Sequence, residues 1–300
     1  MEYSNFETLI EQAKNAGKRK RMAIISAAEP HLIDSALKAY HDGIIEPIFI
    51  GDRNSITDLL RERKALDAGT IVTAATPDDC AAEAARLVRS GEAECLMKGL
   101  METGPMMKIL INKENGIPDS NLISGISIHA LPTYHKLLGV TDGAMNIAPD
   151  TEKKKLILKN AVDAFHALGD DNPKVAALCG VEKVNPKMPE TVEAAAVKQW
   201  VDEGGLSGCE MEGPISADIA FDQEAGKLKG YQSDVAGNPD ILLMPNLVTC
   251  NIFNKSIRRF CQCTTVGILL GLKAPMVLLS RSADTNSKYT SIAVVSQMVE

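Results

Sequence analysis

Polar residues stand where short apolar runs end. Lys98 follows Cys95-Leu96-Met97, Asp142 and Asn146 follow the run ending at Val140, and Glu182 and Asn185 follow the run from Val175. Glu212-Gly213-Pro214 follows Met211, Asn246 follows Met244-Pro245, and Ser280-Arg281 follows Val277-Leu278-Leu279. In a parallel α/β sheet, ligands lie beyond the carboxyl ends of the strands, so these are the first positions to search for chemistry. The last group is the richest. A buried strand bounded by Pro275 runs into Ser280 to Lys288 and then into a helix expected over Lys288 to Met298. Backbone N–H groups at a helix start attract phosphate oxygens, and Arg281 adds a planar fork that pairs two of them. The chemistry indicated is anion binding. Taken singly, polar residues at strand ends are caps and turns more often than ligand contacts, and Arg281 reads equally well as a solvated charge.

Other chemistries lack their signatures. There is no Gly-x-Gly-x-x-Gly after a strand, no phosphate loop ending in Gly-Lys-Ser/Thr, no His-Glu-x-x-His and no Gly-x-Ser-x-Gly. The five histidines, His31, His41, His129, His135 and His166, do not cluster as ligands, so no metal is expected. A formal charge of −7 argues against a nucleic-acid or anionic-membrane binder, and an anionic ligand would have to be held locally. The one dense basic run, Lys18 to Arg21, reads as a solvated helix end. Seven scattered cysteines without a Cys-x-x-Cys pair point to a reducing cytoplasm. The N-terminal residues do not resemble a signal peptide, and no apolar run is long enough to span a bilayer.

The elements that must position these residues alternate between the two periodicities. Helix is expected over Ser4 to Ala16, Pro30 to about Gly43, Ser55 to Leu66 and Pro77 to Gly91, with strands at Met22 to Ala27, Pro47 to Gly51, Thr70 to Ala74 and Cys95 to Met97. After Lys98, Thr103 can cap a helix whose first turn holds Pro105. The turn cluster Asn115 to Asp119 marks a hinge, because two strands, Leu122 to Leu131 and Leu138 to Thr141, follow without an intervening helix. Alternation resumes with helices Thr151 to Leu168, Pro189 to Glu203, Ile215 to Glu224 and Thr249 to Gln262, and strands Val175 to Cys179, Gly208 to Met211 and Ile241 to Met244. This grammar predicts an α/β protein with a parallel sheet covered by helices.

The strand-end segments, taken in order, resemble the phosphate acetyl/butyryltransferase family. The likeness rests on Lys98-Gly99 with Thr103-Gly104, Thr141-Asp142-Gly143, Pro173 to Ala176, Val181 to Met188, Glu212-Gly213-Pro214 with Asp218, and Val235 to Asp240. Pro245-Asn246, Asn251-Ile252 with Lys255, and Ser280-Arg281 extend it over nearly the whole chain. The length and the Glu182 to Met188 segment look most like the butyryl branch. The resemblance implies two α/β domains with a cleft between them, like the isocitrate and isopropylmalate dehydrogenases. The first domain would comprise 1–119 plus 267–300 and the second, dimerising one, 120–266. It implies reversible acyl transfer between coenzyme A and inorganic phosphate in the cytoplasm, with coenzyme A as substrate and no permanently bound cofactor.

The same resemblance assigns roles. Ser280 would donate to the carbonyl oxyanion, and Arg281 would hold phosphate with Arg259, or with Arg258 if the register is off by one. Lys98, Thr103, Asp142, Glu182, Asn246, Asn251, Lys255, Ser287 and Lys288 would contact substrates. The acetyl branch carries an aspartate seven residues after its serine, where this chain has Ser287; Asp284 is the nearest carboxylate that could take a thiol proton, and it reads equally as a helix N-cap. Lys288 or Lys98 could instead favour the thiolate electrostatically. The rival readings are the acetyl-specific enzyme and a non-catalytic module that binds acyl-CoA or acyl phosphate. A dehydrogenase is disfavoured because no acidic cluster exists to hold a metal with a hydroxy acid.

Overall fold

The computed structural model describes residues 5–280 and 283–299. Two compact units are present: an outer unit of Phe6–Ile123 with the chain from Val266 onward, and a middle unit of Ser124–Thr265. In the outer unit α1 (Glu7–Lys14) precedes β1 (Lys20–Ile25), and α2 (Pro30–His41), β2 (Ile45–Gly51), α3 (Arg53–Glu62), β3 (Thr70–Thr73), α4 (Pro77–Arg89), β4 (Cys95–Lys98) and α5 (Thr103–Leu110) follow. The helices start where polar side chains accept the otherwise orphaned first N–H groups: Glu29 for α2, Asp52 for α3, and a Thr76/Asp79 capping box for α4.

The middle unit contains β5 (Ser124–Ala130), β6 (Leu138–Thr141), α6 (Thr151–Ala167), β7 (Lys174–Leu178), α7 (Pro189–Asp202), β8 (Glu210–Ile215), α8 (Ala217–Phe221), α9 (Gln223–Leu228), β9 (Ile241–Leu243) and α10 (Leu247–Phe260). Its strand order is β5-β6-β9-β7-β8, with β5 and β6 antiparallel and the rest parallel. Leu138, Val140, Ala176, Leu242 and Met244 form a dry core with Ile219 and Cys250 from the covering helices. The chain then adds β10 (Thr264–Leu270), β11 (Met276–Val277) and α11 (Thr285–Gln297). β11 inserts parallel to β4, completing the order β3-β2-β1-β4-β11-β10, in which only β10 and β11 are antiparallel. From Ser287 to Ser296, α11 is buried all round, as its weakly amphipathic sequence requires.

Several expectations are corrected. The sheet is not wholly parallel, because β5–β6 and β10–β11 are connected without a crossover helix. The basic run is not a helix end: Lys20 and Arg21 open β1, and Lys18, Arg19 and Arg21 pair with Glu94, Glu46 and Glu94. The strand expected at Gly208 to Met211 instead continues through Gly213-Pro214 to Ile215, where it meets Leu178 after a register shift. The helix expected from Ile215 to Glu224 is divided at Asp222, whose extended backbone and carboxylate start α9. α11 begins at Thr285 rather than Lys288 because Asp284 caps it.

His129 on β5 is fully buried. Nε2–H donates to the Asn254 amide oxygen at 2.9 Å, leaving Nδ1 to accept from the Thr265 hydroxyl at 2.9 Å. Burial holds the imidazole at about 4, below its ordinary value near 6.5. The unfolded chain therefore takes up this proton at a higher pH than the folded chain. The stability linked to His129 is complete above pH 6.5 and falls as the pH is lowered towards 4. Urea unfolding at pH 7 and 5 should show a loss of about 2 kcal/mol from this group. Replacement by Gln should remove that increment, and an unchanged pH dependence in His129→Gln would exclude His129 as its source.

Candidate functional site

Two cavities lie at the carboxyl ends of strands, one in each unit. In the outer unit, Lys98 ends β4 and Ser280 follows β11; the pairs Leu96–Met276 and Met97–Val277 align the two strands so that both residues emerge at the same end. The loop after β4 is clamped to β1. Gly99 N–H donates to Ile25 O at 2.8 Å and Leu100 N–H to Ser26 O at 3.0 Å. A Cβ on Gly99 would lie 2.3 Å from Ser26 O, so only glycine permits this approach. Ser26 itself adopts a left-handed backbone, φ 52°, uncommon for a residue with a side chain.

Lys98, Gly99, Ser280, Lys288, Glu29 and Leu32 are among the residues enclosing a notch of about 30 Å³. It has room for one or two waters or a single small substrate group. Lys288 Nζ lies 3.3 Å from Glu29 Oε2 and donates to Ala283 O at 3.0 Å. Glu29 also accepts His31 N–H at 3.0 Å and Leu32 N–H at 2.8 Å. Glu29 is not among the candidates read from the sequence, although Glu29-Pro30 after a strand carries the signal of an acidic helix cap.

Near this notch the remaining residues divide. Asp284 is an exposed cap, its carboxylate accepting Ser287 N–H at 2.6 Å, while Ser287 is buried. Thr103 is the first residue of α5 and not its cap; the cap is Glu102, which makes no side-chain bond to the helix. Arg281 lies outside the described residues.

The larger cavity, about 670 Å³, belongs to the middle unit and is lined by Leu178, Cys179, Pro189, Met244, Asn246 and Phe253, among others. Glu190, Glu193 and Asp150 also line it, and Lys154 is committed to Glu193 at 2.5 Å. Burial pushes the Cys179 thiol up to about 11. An apolar wall with carboxylates suits an uncharged group better than a phosphate. Lys98 and Lys288 line the small notch, whereas no lysine or arginine is among the described residues lining the large cavity.

Most middle-unit candidates are engaged with the protein itself. Asp142 is buried, and its carboxylate accepts backbone N–H groups of Gly125, Ala144, Met145 and Asn146 as well as the Asn146 amide at 2.6 Å. Asn246 caps α10 through Thr249 N–H at 2.9 Å, and Asn251 donates to Gly143 O at 3.3 Å. Glu182 lies 3.6 Å from Lys229. On α10, Lys255 and Arg259 are exposed, whereas Arg258 is half-buried and its charge disfavours a proton on His129. Among the described residues, no group of three or more His, Cys, Asp or Glu side chains could hold a metal, and no helix is long and apolar enough to cross a membrane.

The family model for phosphate acetyl/butaryl transferase matches residues 56–296. The chain belongs to this family. It is 35% identical to a phosphate butyryltransferase of Clostridium acetobutylicum, covering 97% of this chain and 96% of that one. It is 33% identical to a phosphate acetyltransferase of Thermotoga maritima over 96% of this chain and 97% of that one. The crystal structure of a branched-chain phosphotransacylase from Enterococcus faecalis superimposes with a TM-score of 0.81 at 30% identity, covering 93% of this chain and 98% of that one. The 4-hydroxythreonine-4-phosphate dehydrogenase of Klebsiella pneumoniae, 13% identical, shares the fold with a TM-score of 0.59, covering 94% of this chain and 100% of that one. The architecture is thus the dehydrogenase-like α/β fold, and this member of the phosphate acetyl/butaryl transferase family is a phosphate acyltransferase.

The Asp142 geometry generates a test. Asp142→Ala leaves four backbone N–H groups without their acceptor, and should cost about 3 kcal/mol in denaturant unfolding while KM for either substrate of the folded enzyme stays within about twofold. A raised KM at unchanged stability would instead place Asp142 against substrate.

Proposed function

We propose that this acyltransferase moves a four-carbon or branched acyl group between coenzyme A and inorganic phosphate, by direct attack of the coenzyme A thiolate on the acyl phosphate carbonyl in a ternary complex. The observation that carries the reading is the outer-unit notch, where Lys98, Ser280 and Lys288 line one small cavity. Attack places negative charge on the carbonyl oxygen and then returns it to the departing phosphate. A hydroxyl donor and fixed cations at that point stabilise both. Ser280 supplies the hydroxyl, Lys98 and Arg281 bind phosphate, and Ser287, Thr103, Lys255 and Arg259 contribute to substrate binding.

The acyl preference is supported by the likeness to the butyryl and branched-chain relatives. The acetyl reading is kept as the second one, because a phosphate acetyltransferase is nearly as similar. We place the enzyme in the cytoplasm as a homodimer joined through the middle unit, where Val248, Ile252 and Phe260 of α10 are exposed.

Thiol release from acetyl-, propionyl-, butyryl- and isobutyryl-CoA, each with and without phosphate, decides between the acyl groups. Release should require phosphate, and kcat/KM should rise by roughly tenfold or more per methylene up to four carbons, as a hydrophobic pocket permits. Fastest turnover of acetyl-CoA would establish the acetyl reading instead. Ser280→Ala should lower kcat by about 10²-fold or more if its hydroxyl meets the oxyanion; wild-type kcat would remove it from that role.

A further inference from the structure

Lys288 is 5% exposed, yet lines the same notch as Ser280 and Lys98. Its ammonium is held between Ala283 O at 3.0 Å and the carboxylate of Glu29 at 3.3 Å. Glu29 reaches it from the start of α2, after β1, whereas Lys288 belongs to the first turns of α11. Two considerations make this more than a packing device. The first turn of α2 needs an acceptor for the His31 and Leu32 N–H groups, and an uncharged cap would serve. A buried ion pair is also seldom more stabilising than an apolar replacement, so the charges need another reason to stand at the wall of the notch.

We propose that Glu29 is a positioning residue for acyl transfer. It fixes the Lys288 ammonium at the wall shared with Ser280, where the positive charge offsets the charge that moves between sulfur and phosphate. The inference rests on the reaction proposed above. In the direction of acyl phosphate formation, an oxygen of hydrogen phosphate attacks the thioester carbon. A C–O bond forms, the C–S bond breaks, sulfur leaves with the electron pair, and the proton lost by phosphate ends on the thiol. Lys288 faces the anionic partners of this exchange as a fixed charge, and Glu29 acts only through Lys288.

The test compares Glu29→Gln, Glu29→Asp, Lys288→Met and the Glu29→Gln/Lys288→Met double variant with wild type, using butyryl-CoA and phosphate. Gln retains an amide oxygen to cap α2 but loses the charge. Glu29→Gln and Lys288→Met should each lower kcat at least about tenfold with KM for butyryl-CoA within about threefold of wild type. The double variant should be no slower than Lys288→Met, because both changes remove one interaction. Glu29→Asp, which keeps charge and cap, should recover most of the kcat. Losses that multiply in the double variant, or a double variant with wild-type kcat, would overturn the inference. So would a Glu29→Gln defect that appears only as a lower Tm and is not relieved by Asp. Absence of phosphate-dependent release from the wild type would instead defeat the proposed reaction, whereas an active wild type with an unaffected Glu29→Gln defeats only the role of Glu29.

Discussion

The outer unit depends on one strand pairing. β11 is two residues long, yet its parallel register with β4, Leu96 beside Met276 and Met97 beside Val277, inserts the end of the chain into a sheet begun before residue 100. Without it, Ser280 would have no fixed relation to Lys98, and α11 would have no sheet to cover. The pairing is supported on both sides by burial. Met97, Met276 and Val277 are almost wholly inaccessible, and α11 is sunk against β11, α1 and α2. A short strand can hold its register under such conditions because slipping it by one residue would turn buried side chains to the opposite face.

Charge is treated differently at the surface and inside. The molecule is acidic, and most of its ion pairs join exposed side chains whose contribution is small, such as Lys159 with Asp163 on one helix. Three buried cations, Lys136, Lys154 and Lys288, each have a carboxylate within 4 Å, namely Asp240 at 2.9 Å, Glu193 at 2.5 Å and Glu29 at 3.3 Å. An unpaired charge there would carry the full desolvation penalty. Only the third pair shares a cavity with the strand-end serine. A chain of net negative charge can in this way hold buried cations locally without a basic surface.

The strand-end carboxylates and amides show why position and role are separate questions. Asp142, Asn246 and Asp284 all lie just beyond strands, as the alternation of elements led one to expect. Each is occupied by N–H groups of the turn or helix that follows. A strand end has several backbone donors to satisfy before any ligand arrives, and a short acceptor side chain is the nearest means of doing so. The same chemistry that binds a phosphate oxygen also closes a turn, and the sequence pattern of the two is alike.

What the sequence determined by itself was local and periodic: the alternation of helix and strand, the capping position of Asp284, the two strands near Ser124 and Leu138 that follow without an intervening helix, and the placement of Lys98 and Ser280 at strand ends. These follow from spacing along the chain, which burial on one face or both imposes directly. The family resemblance added the order of segments over most of the chain, the family model matching residues 56–296. Tertiary structure alone decided which strand ends meet. That β4 lies beside β11, that Glu29 reaches Lys288, and that Asp142 is consumed by four backbone N–H groups depend on contacts between residues far apart in sequence. The division of Ile215 to Leu228 into strand and two short helices was likewise set by the pairing of β8 with β7 and the capping of α9, against a helical pattern in the residues. Local pattern says which residues can face a core; only the packed sheet says what they find there.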